Sequence, residues 1–214
     1  MKTISESKFA IRKELWIWTV LIALVNSPLL FGSPCSNLIF VPARVAAGEW
    51  WRVLTGFFVH VSWYHLLLDA SAFLMLLESL HPIPRMKRLM ILAACGLGSL
   101  AASVPVIGAD GTLCGLSGIA HGLLAVMALQ LIEDTDVSLC RAGLLCFTVV
   151  LAKCIFEAAT GHVLFENMHL GNVASPVAVC HAGGVAGGVL MYAGLKGLPC
   201  PRLTRLTAPM GFTQ

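Results

Sequence analysis

Apolar residues run through this chain in long stretches, interrupted at intervals by charged residues, proline or glycine. A helix that crosses the hydrocarbon core of a bilayer needs about 20 mostly apolar residues, with about 17 as the lower limit. Six windows meet this length: 15–31, 62–80, 86–107, 116–132, 139–159 and 176–195. The pattern predicts an all-α polytopic membrane protein, with a six-transmembrane-helix domain over 15–195 between an N-terminal tail, 1–14, and a C-terminal tail, 196–214.

The composition supports a lipid environment. Hydrophobic residues make up 57% of the 214 residues and charged residues 12%, which is too few charges to cover a soluble domain of this size. The basic residues are spread between the apolar windows rather than gathered on one face, so nucleic acid is not expected as a ligand. The lipid bilayer is the expected partner of most of the surface.

Lysine and arginine indicate which ends face the cytoplasm, because positively charged loops stay on that side. They cluster in the N-terminal tail, between the second and third windows, and after the sixth: Lys2, Lys8, Arg12, Lys13, Arg85, Lys87, Arg88, Lys196, Arg202 and Arg205. These segments share one side of a six-helix topology, so both termini are predicted to be cytoplasmic. A cleaved signal peptide is not expected, because the first window is longer than a signal core of about 7 to 15 residues.

The loop over 32–61 falls on the outer side and contains Trp50 and Trp51, flanked by Glu49 and Arg52. Paired tryptophans between opposite charges suit the interface between membrane and water. The run is therefore either an interfacial anchor or a more specific structural element of this loop.

Cysteines inside the apolar windows are expected to pack as small hydrophobic residues. Cys35 and Cys114 instead fall in outer segments, where one disulfide between them is conceivable.

Polar residues inside three of the windows need a reason, because a charge at the centre of a span costs at least about 2.5 to 3.5 kcal/mol. The second window holds His65 and Asp69, the fourth opens with Ser117 and has His121 one turn later, and the sixth holds His181. All three windows descend from the outer side, and at about 1.5 Å per residue their polar groups lie at similar depths. The sequence therefore predicts one polar site just beneath the outer face.

Glycine pairs indicate which helices touch. Small residues four apart allow two helix backbones to approach closely in lipid. The fourth and sixth windows each contain such a pair: Gly118 with Gly122, and Gly184 with Gly188. Ordinary helix packing would explain either pair alone, but together they would bring the serine and the histidine into one site.

A serine hydroxyl becomes a nucleophile when a base within hydrogen-bond reach takes its proton, and neutral imidazole can do so near pH 7. Attack on a peptide carbonyl also needs donors for the developing oxyanion, either backbone N–H groups near Ser117 or side chains such as His65. This chemistry needs no metal and no cofactor.

At this point the motifs resemble those of the rhomboid intramembrane serine proteases. The segment 115–118, Gly-Leu-Ser-Gly, is similar to the G-x-S-G nucleophile motif, and His181 with Gly184 and Gly188 resembles the H-x-x-G-x-x-x-G of the last core helix. His60, His65 and Asp69 look like H-x4-H-x3-N, and the tryptophan-arginine run resembles an element of the first loop. These motifs cover about 48–190.

The resemblance implies a serine-type endopeptidase with Ser117 as nucleophile and His181 as base. It implies that His65 and the residue at 69 help to hold the oxyanion, beside backbone N–H groups near Ser117, where Leu116 and Gly118 lie. The family usually has asparagine where this chain has Asp69, and an ionised carboxylate would repel an oxyanion. We therefore expect Asp69 to be protonated, or neutralised by His65 or His121.

His121 stands where many rhomboids carry an aromatic residue, and G-x-S-G-x-x-H-G resembles the rhombosortase branch, a compact six-span bacterial group. That resemblance implies a protein of the bacterial inner membrane that processes secreted proteins ending in a glycine-rich motif, an apolar helix and basic residues. Its substrate would be membrane-anchored by a C-terminal or single transmembrane helix and cut near the outer face.

Other functions stay open at this stage. One alternative is a general rhomboid that cuts unstable transmembrane helices, and another is an inactive rhomboid-like binder of membrane clients. A transporter is disfavoured because no inverted repeat is apparent.

Two further groups are assigned structural roles. Lys153 and Glu157, four apart in the fifth window, are expected to neutralise one another. A metal is not expected at His162, Glu166 and His169, which lack a further ligand set.

Overall fold

The computed structural model describes residues 4–164, 170–173 and 177–196, and this part of the chain is helical, with no strand. The helices are α1 Ile4–Asn26, α2 Pro42–Ala46, α3 Arg52–Thr55, α4 Trp63–Ser79, α5 Arg85–Ile107, α6 Ser117–Ile132, α7 Val137–Thr160 and α8 Val179–Lys196. Short 3-10 turns at Ser27–Phe31, Ser36–Leu38 and Gly56–Phe58 lie between the first four. Each of the six apolar windows therefore overlaps one of the longer helices.

Fewer spans are supported by the lengths and composition of these helices than by the six windows. By length and composition, Ile11–Phe31, α5 and α7 can each cross a membrane, and Arg52–Phe58 with α4 passes only as a pair bent by 99°. Helix α6 is 16 residues long, because Gly115, with φ of 99°, precedes its first turn. Helix α8 contains several glycines, which contribute little apolar surface. Three or four spans are supported directly, and six spans stay a prediction.

Helix α6 lies at the centre of the bundle, packed against α4, α5, α7 and α8. It is apolar on all sides, as expected of a helix enclosed by others, and Leu123, Ala125 and Val126 are fully buried. Its central position brings residues at its first turn within reach of several neighbours.

The predicted glycine pairs lie where α6 meets α8. A Cβ at Gly184 would overlap the carbonyl of Gly118, and one at Gly188 would lie 3.0 Å from the carbonyl oxygen of Gly122. The two backbones thus touch directly. Any larger side chain at Gly184 would force α6 and α8 apart.

Arg88, one of the basic residues used to orient the chain, is buried. It is 6% exposed and forms a buried ion pair with Glu14 of α1. Its guanidinium also donates to the carbonyls of His81 and Ile83, at 3.2 and 2.5 Å. Arg88 therefore joins α1 to the start of α5.

In the tryptophan-arginine run the arginine has a structural role and the tryptophans are exposed. Arg52 is buried and donates to Glu49 at 2.6 Å and to the carbonyls of Ser36 and Ile39 at 2.9 and 2.7 Å. Trp50 and Trp51 stay 69% and 50% exposed. The arginine therefore fixes the loop, while the tryptophans present apolar rings to the surroundings.

Cys35 and Cys114 are free thiols in this structure, so the conceivable bridge is not formed. The loop is connected to the segment before α6 by backbone hydrogen bonds between Phe40 and Leu113 instead.

Candidate active site

Ser117 is the first residue of α6, and the backbone before it is held in a conformation that favours glycine. Gly115 has φ of 99°, and its N–H donates to the carbonyl of Gly56 at 3.3 Å. A Cβ there would lie 2.7 Å from His65 Nε2 and 2.8 Å from Asp69 Oδ2. The serine is therefore delivered directly beside the two polar side chains of α4.

The cap of α6 leaves donors available at the serine. Leu116 is fully buried and makes no side-chain capping hydrogen bond, and the first helical bond runs from Ala120 N–H to the Leu116 carbonyl. The N–H groups of Ser117, Gly118 and Ile119 therefore have no acceptor within the helix. An oxyanion next to Ser117 would meet these amides and the positive end of the helix dipole.

His121 and His181 lie face to face. Their ring centroids are 3.9 Å apart with an angle of 19° between the planes. His121 Nδ1 lies 2.7 Å from the carbonyl oxygen of Ser117, so its ring is fixed by the same turn that carries the serine. The stack holds the His181 imidazole against the first turn of α6.

Ser117 and His181 share this site, but no hydrogen bond joins their side chains among the residues described. The Ser117 hydroxyl lies 3.8 Å from Sγ of Cys180, the neighbour of His181 on α8. Catalytic hydrogen bonds are often long without substrate, so a missing bond in the free protein does not argue against the pair.

Glu157 of α7 contacts the other side of the His181 ring. Its Oε2 lies 2.6 Å from His181 Nδ1, and its side chain is fully buried. The expected pair with Lys153 is also present, at 2.5 Å through Oε1. The sequence interpretation assigned Glu157 to Lys153 alone and missed the imidazole, although a buried glutamate in a span was a signal that it needed more than a surface partner.

Asp69 lies between two histidines. Its Oδ2 is 3.2 Å from His65 Nε2 and 3.5 Å from His60 Nε2. His121 was also expected to neutralise Asp69, but it bonds to the carbonyl of Ser117 instead. The second histidine beside Asp69 is His60. Sequence reasoning named His60 only as part of a motif and did not identify its contact with Asp69.

His60 is oriented by Asn26 at the end of α1, another residue that the sequence did not single out. Asn26 Oδ1 accepts from the His60 backbone N–H at 2.9 Å and lies 3.3 Å from His60 Nδ1. Because the amide oxygen only accepts, Nδ1 carries a proton, and Nε2 is the ring nitrogen that faces Asp69. A proton on Asp69 would satisfy that nitrogen.

The same cluster contains the atoms best placed for a metal in the described chain. His60, His65 and Asp69 are buried, and one ligand atom from each lies within 4.8 Å of the others. Histidine and carboxylate ligands suit zinc and other transition ions. Of the three residues considered for a metal from the sequence, His162 is exposed, and Glu166 and His169 lie outside the described residues.

A cavity of about 650 Å³ connects these groups. Its polar lining comes from α4, α6, α7 and α8: His65, Asp69, Ser117, His121, Lys153 and His181. Cys114 also lines it, and burial raises the pKa of that thiol to about 11, so the thiol stays protonated near neutral pH. The cavity therefore holds the Ser117 hydroxyl together with imidazoles from α4, α6 and α8.

Comparison with known proteins identifies the family of this chain. The family model of the Rhomboid domain matches residues 47–197, which include every group that lines the polar side of the cavity. No curated protein and no solved structure matches the chain. Rhomboid proteins are generally serine proteases that act on substrates within the bilayer. The apolar helices and this match show that the chain is an integral membrane protein. It belongs to the rhomboid family.

Proposed function

We propose that this protein is an intramembrane serine endopeptidase, with Ser117 as nucleophile and His181 as general base. The observation that carries the proposal is the stack of His121 on His181, fixed to the turn of Ser117, inside a single polar cavity. Two helices thereby contribute a hydroxyl and an imidazole to the same buried volume.

The reaction begins when the Ser117 hydroxyl attacks the scissile carbonyl and passes its proton to His181 Nε2. The protonated imidazole then gives that proton to the leaving amine, and the acyl-enzyme remains. Water that enters the cavity hydrolyses the ester, with His181 acting as base again. Neither step needs a metal or a cofactor.

The oxyanion is held by donors at the start of α6 and on α4. The unpaired amides next to Ser117, among them that of Gly118, provide preorganised N–H groups, and Leu116 fixes the turn that presents them. His65 adds a side-chain donor beside them. Removing one such donor typically costs about 2.7 to 4 kcal/mol of barrier.

For Asp69 we propose the protonated form, because an ionised carboxylate would oppose the oxyanion. A neutral carboxylic acid can donate one hydrogen bond, and His60 Nε2, 3.5 Å from Oδ2, can accept it when the proton of that ring is on Nδ1. In this role Asp69 supports His65 beside the oxyanion without carrying charge.

The proposed topology has six transmembrane helices over 15–195, with cytoplasmic tails over 1–14 and 196–214. The long apolar helices and the buried position of α6 support it, since a short helix enclosed by its neighbours can span without meeting lipid along its whole length. The bacterial inner membrane is the compartment that the resemblance to the rhombosortase branch implies.

The substrate we propose is a secreted protein held in the membrane by a C-terminal helix and cut near the outer face, as in the rhombosortase branch. The feature in favour is His121, which stacks on His181 in place of an aromatic residue. A general protease of unstable transmembrane helices is the second candidate within the family. A binder without activity is disfavoured, because serine and histidine are both present at the cavity.

The test is cleavage of a membrane-anchored reporter by the purified protein in liposomes. Wild-type protein should cut, while Ser117→Ala and His181→Ala should each lose cleavage by at least about 10³-fold with an unchanged melting temperature. A serine-directed fluorophosphonate should label wild-type protein and not the Ser117→Ala variant. Undiminished cleavage by folded Ser117→Ala would refute the proposal.

The substrate class is tested separately with two reporters that share one transmembrane helix. One carries a Gly-Gly-rich stretch before the helix and a basic tail after it, and the other carries neither. Preference for the first supports the sorting role, and equal cleavage favours the general protease.

A further inference from the structure

The carboxylate of Glu157 is held by three groups, and the arrangement leaves one oxygen for the imidazole. Oε1 accepts from Lys153 Nζ at 2.5 Å and from the Leu164 backbone N–H at 3.0 Å. Oε2 lies 2.6 Å from His181 Nδ1. With the side chain fully buried in α7, Glu157 has no freedom to turn away from the histidine.

These contacts decide which nitrogen of His181 carries the proton. Lys153 Nζ lies 3.3 Å from His181 Nδ1, but Lys153 and an Nδ1–H group can both donate to the carboxylate they share. An Nδ1 without a proton would place its lone pair against Oε2 at 2.6 Å. Nδ1 therefore donates to Glu157, and Nε2 keeps the lone pair that a general base needs.

We infer that Glu157 is a positioning residue of the active site, so that Ser117, His181 and Glu157 act as a triad rather than the serine and histidine alone. The inference rests on the proposed function. Glu157 holds the tautomer of His181 with Nε2 unprotonated and stabilises the imidazolium that forms when Ser117 loses its proton. It stays ionised throughout and exchanges no proton itself.

The competing explanation is that Glu157 only neutralises Lys153. The two differ in what happens when both members of the ion pair are replaced by uncharged side chains. If Glu157 serves Lys153, removing the lysine as well should cancel the defect. If Glu157 serves His181, the defect should remain.

The experiment measures kcat and KM for cleavage of the membrane-anchored reporter in liposomes. Glu157→Gln should lower kcat by about 10² to 10⁴-fold, with KM changed by less than about threefold, as for loss of the carboxylate of other serine-protease triads. The double variant Lys153→Met with Glu157→Gln should stay equally slow. The double variant leaves no lysine without its carboxylate partner. It can therefore still be assayed if the single variant fails to fold.

Glu14→Gln is the matched control, since it too removes a buried carboxylate from an ion pair, with Arg88, outside the cavity. It should lower the melting temperature and leave kcat within about threefold. In wild type, the ¹⁵N signal of His181, assigned by its loss in His181→Asn, should report a proton on Nδ1. In the double variant the Nε2–H form should gain population.

Recovery of kcat in the double variant would overturn the inference, as would an unchanged kcat in folded Glu157→Gln. In both cases wild-type cleavage and its loss in Ser117→Ala would leave the proposed function standing. If wild-type protein cuts no reporter and reacts with no fluorophosphonate, the proposed function fails and the inference fails with it.

Discussion

Asp69 lies at a position where its charge would matter most, within a few ångströms of the turn that carries the serine. His65 Nε2 and His60 Nε2 are its neighbours, and within the described chain Asp69 Oδ2 and His60 Nε2 have no well-formed hydrogen bond. A buried polar atom without a partner costs free energy, and one proton shared between these two atoms would satisfy both. With that proton on the carboxyl group, Asp69 is the neutral acid that we propose.

Replacing Asp69 tests that conclusion at the level of one atom. Asp69→Asn supplies an N–H donor for His60 and should keep cleavage of a membrane reporter within about tenfold of wild type. Asp69→Ala removes the support and should lose about 10² to 10³-fold, as when an oxyanion donor is removed. Near-total loss of activity in a folded Asp69→Asn variant would mean that the carboxylate acts in its ionised form.

The helices position the site through their close packing at glycine. Helices α6 and α8 approach until the backbone at Gly184 touches that at Gly118, and α5 packs on α8 through Gly98 and Gly183 in the same way. Lipid offers no hydrophobic force between helices, so contact at this distance depends on small residues. The depth and direction of His181 relative to Ser117 follow from this contact.

A methyl group placed in the contact should separate the helices. Gly184→Ala should lower the melting temperature in detergent and reduce cleavage, because its Cβ overlaps the Gly118 carbonyl; overpacking of this kind costs about 1 to 3 kcal/mol. Gly194→Ala, on the same helix with open space around it, is the control and should be neutral or slightly stabilising. Equal melting temperatures for the two variants would contradict this account of the packing.

At the scale of the whole molecule, charge at its two faces should orient the bundle. Ser117 opens α6 at one end of the bundle. At the other end, the first turn of α5 carries basic residues, and Lys196 ends α8 beside Glu133. Positive segments stay in the cytoplasm, so the cavity should open toward the outer face. Cleavage near that face would follow.

Reporter fusions to the full chain test this orientation. Green fluorescent protein at the C-terminus should fluoresce, and alkaline phosphatase at the same place should be inactive, because both termini are expected in the cytoplasm. An N-terminal epitope should resist protease added to intact spheroplasts. An active C-terminal phosphatase would reverse the topology and place the cavity on the cytoplasmic side.

The order of residues along the chain was sufficient to predict the helices, and it named the groups to which we assign the chemistry. In lipid, backbone polar groups must be satisfied within each segment, so apolar windows predict helices well. Apart from the first window, whose helix begins earlier, at Ile4, the predicted ends agree within three residues, the largest shift being from 176 to 179. The nucleophile motif and the histidine of the last helix were likewise readable.

The partners of those groups depend on how helices distant in sequence pack together. Lys153, four residues from Glu157, was visible in the sequence, but the contact with His181 spans 24 positions, and that of Asn26 with His60 spans 34. Helical spacing predicts which residues share a face of one helix, and it carries no information on which face of another helix lies opposite. That choice is made by close packing of backbones and side chains in three dimensions, and it is what turns a serine and a histidine into a site with a carboxylate behind it.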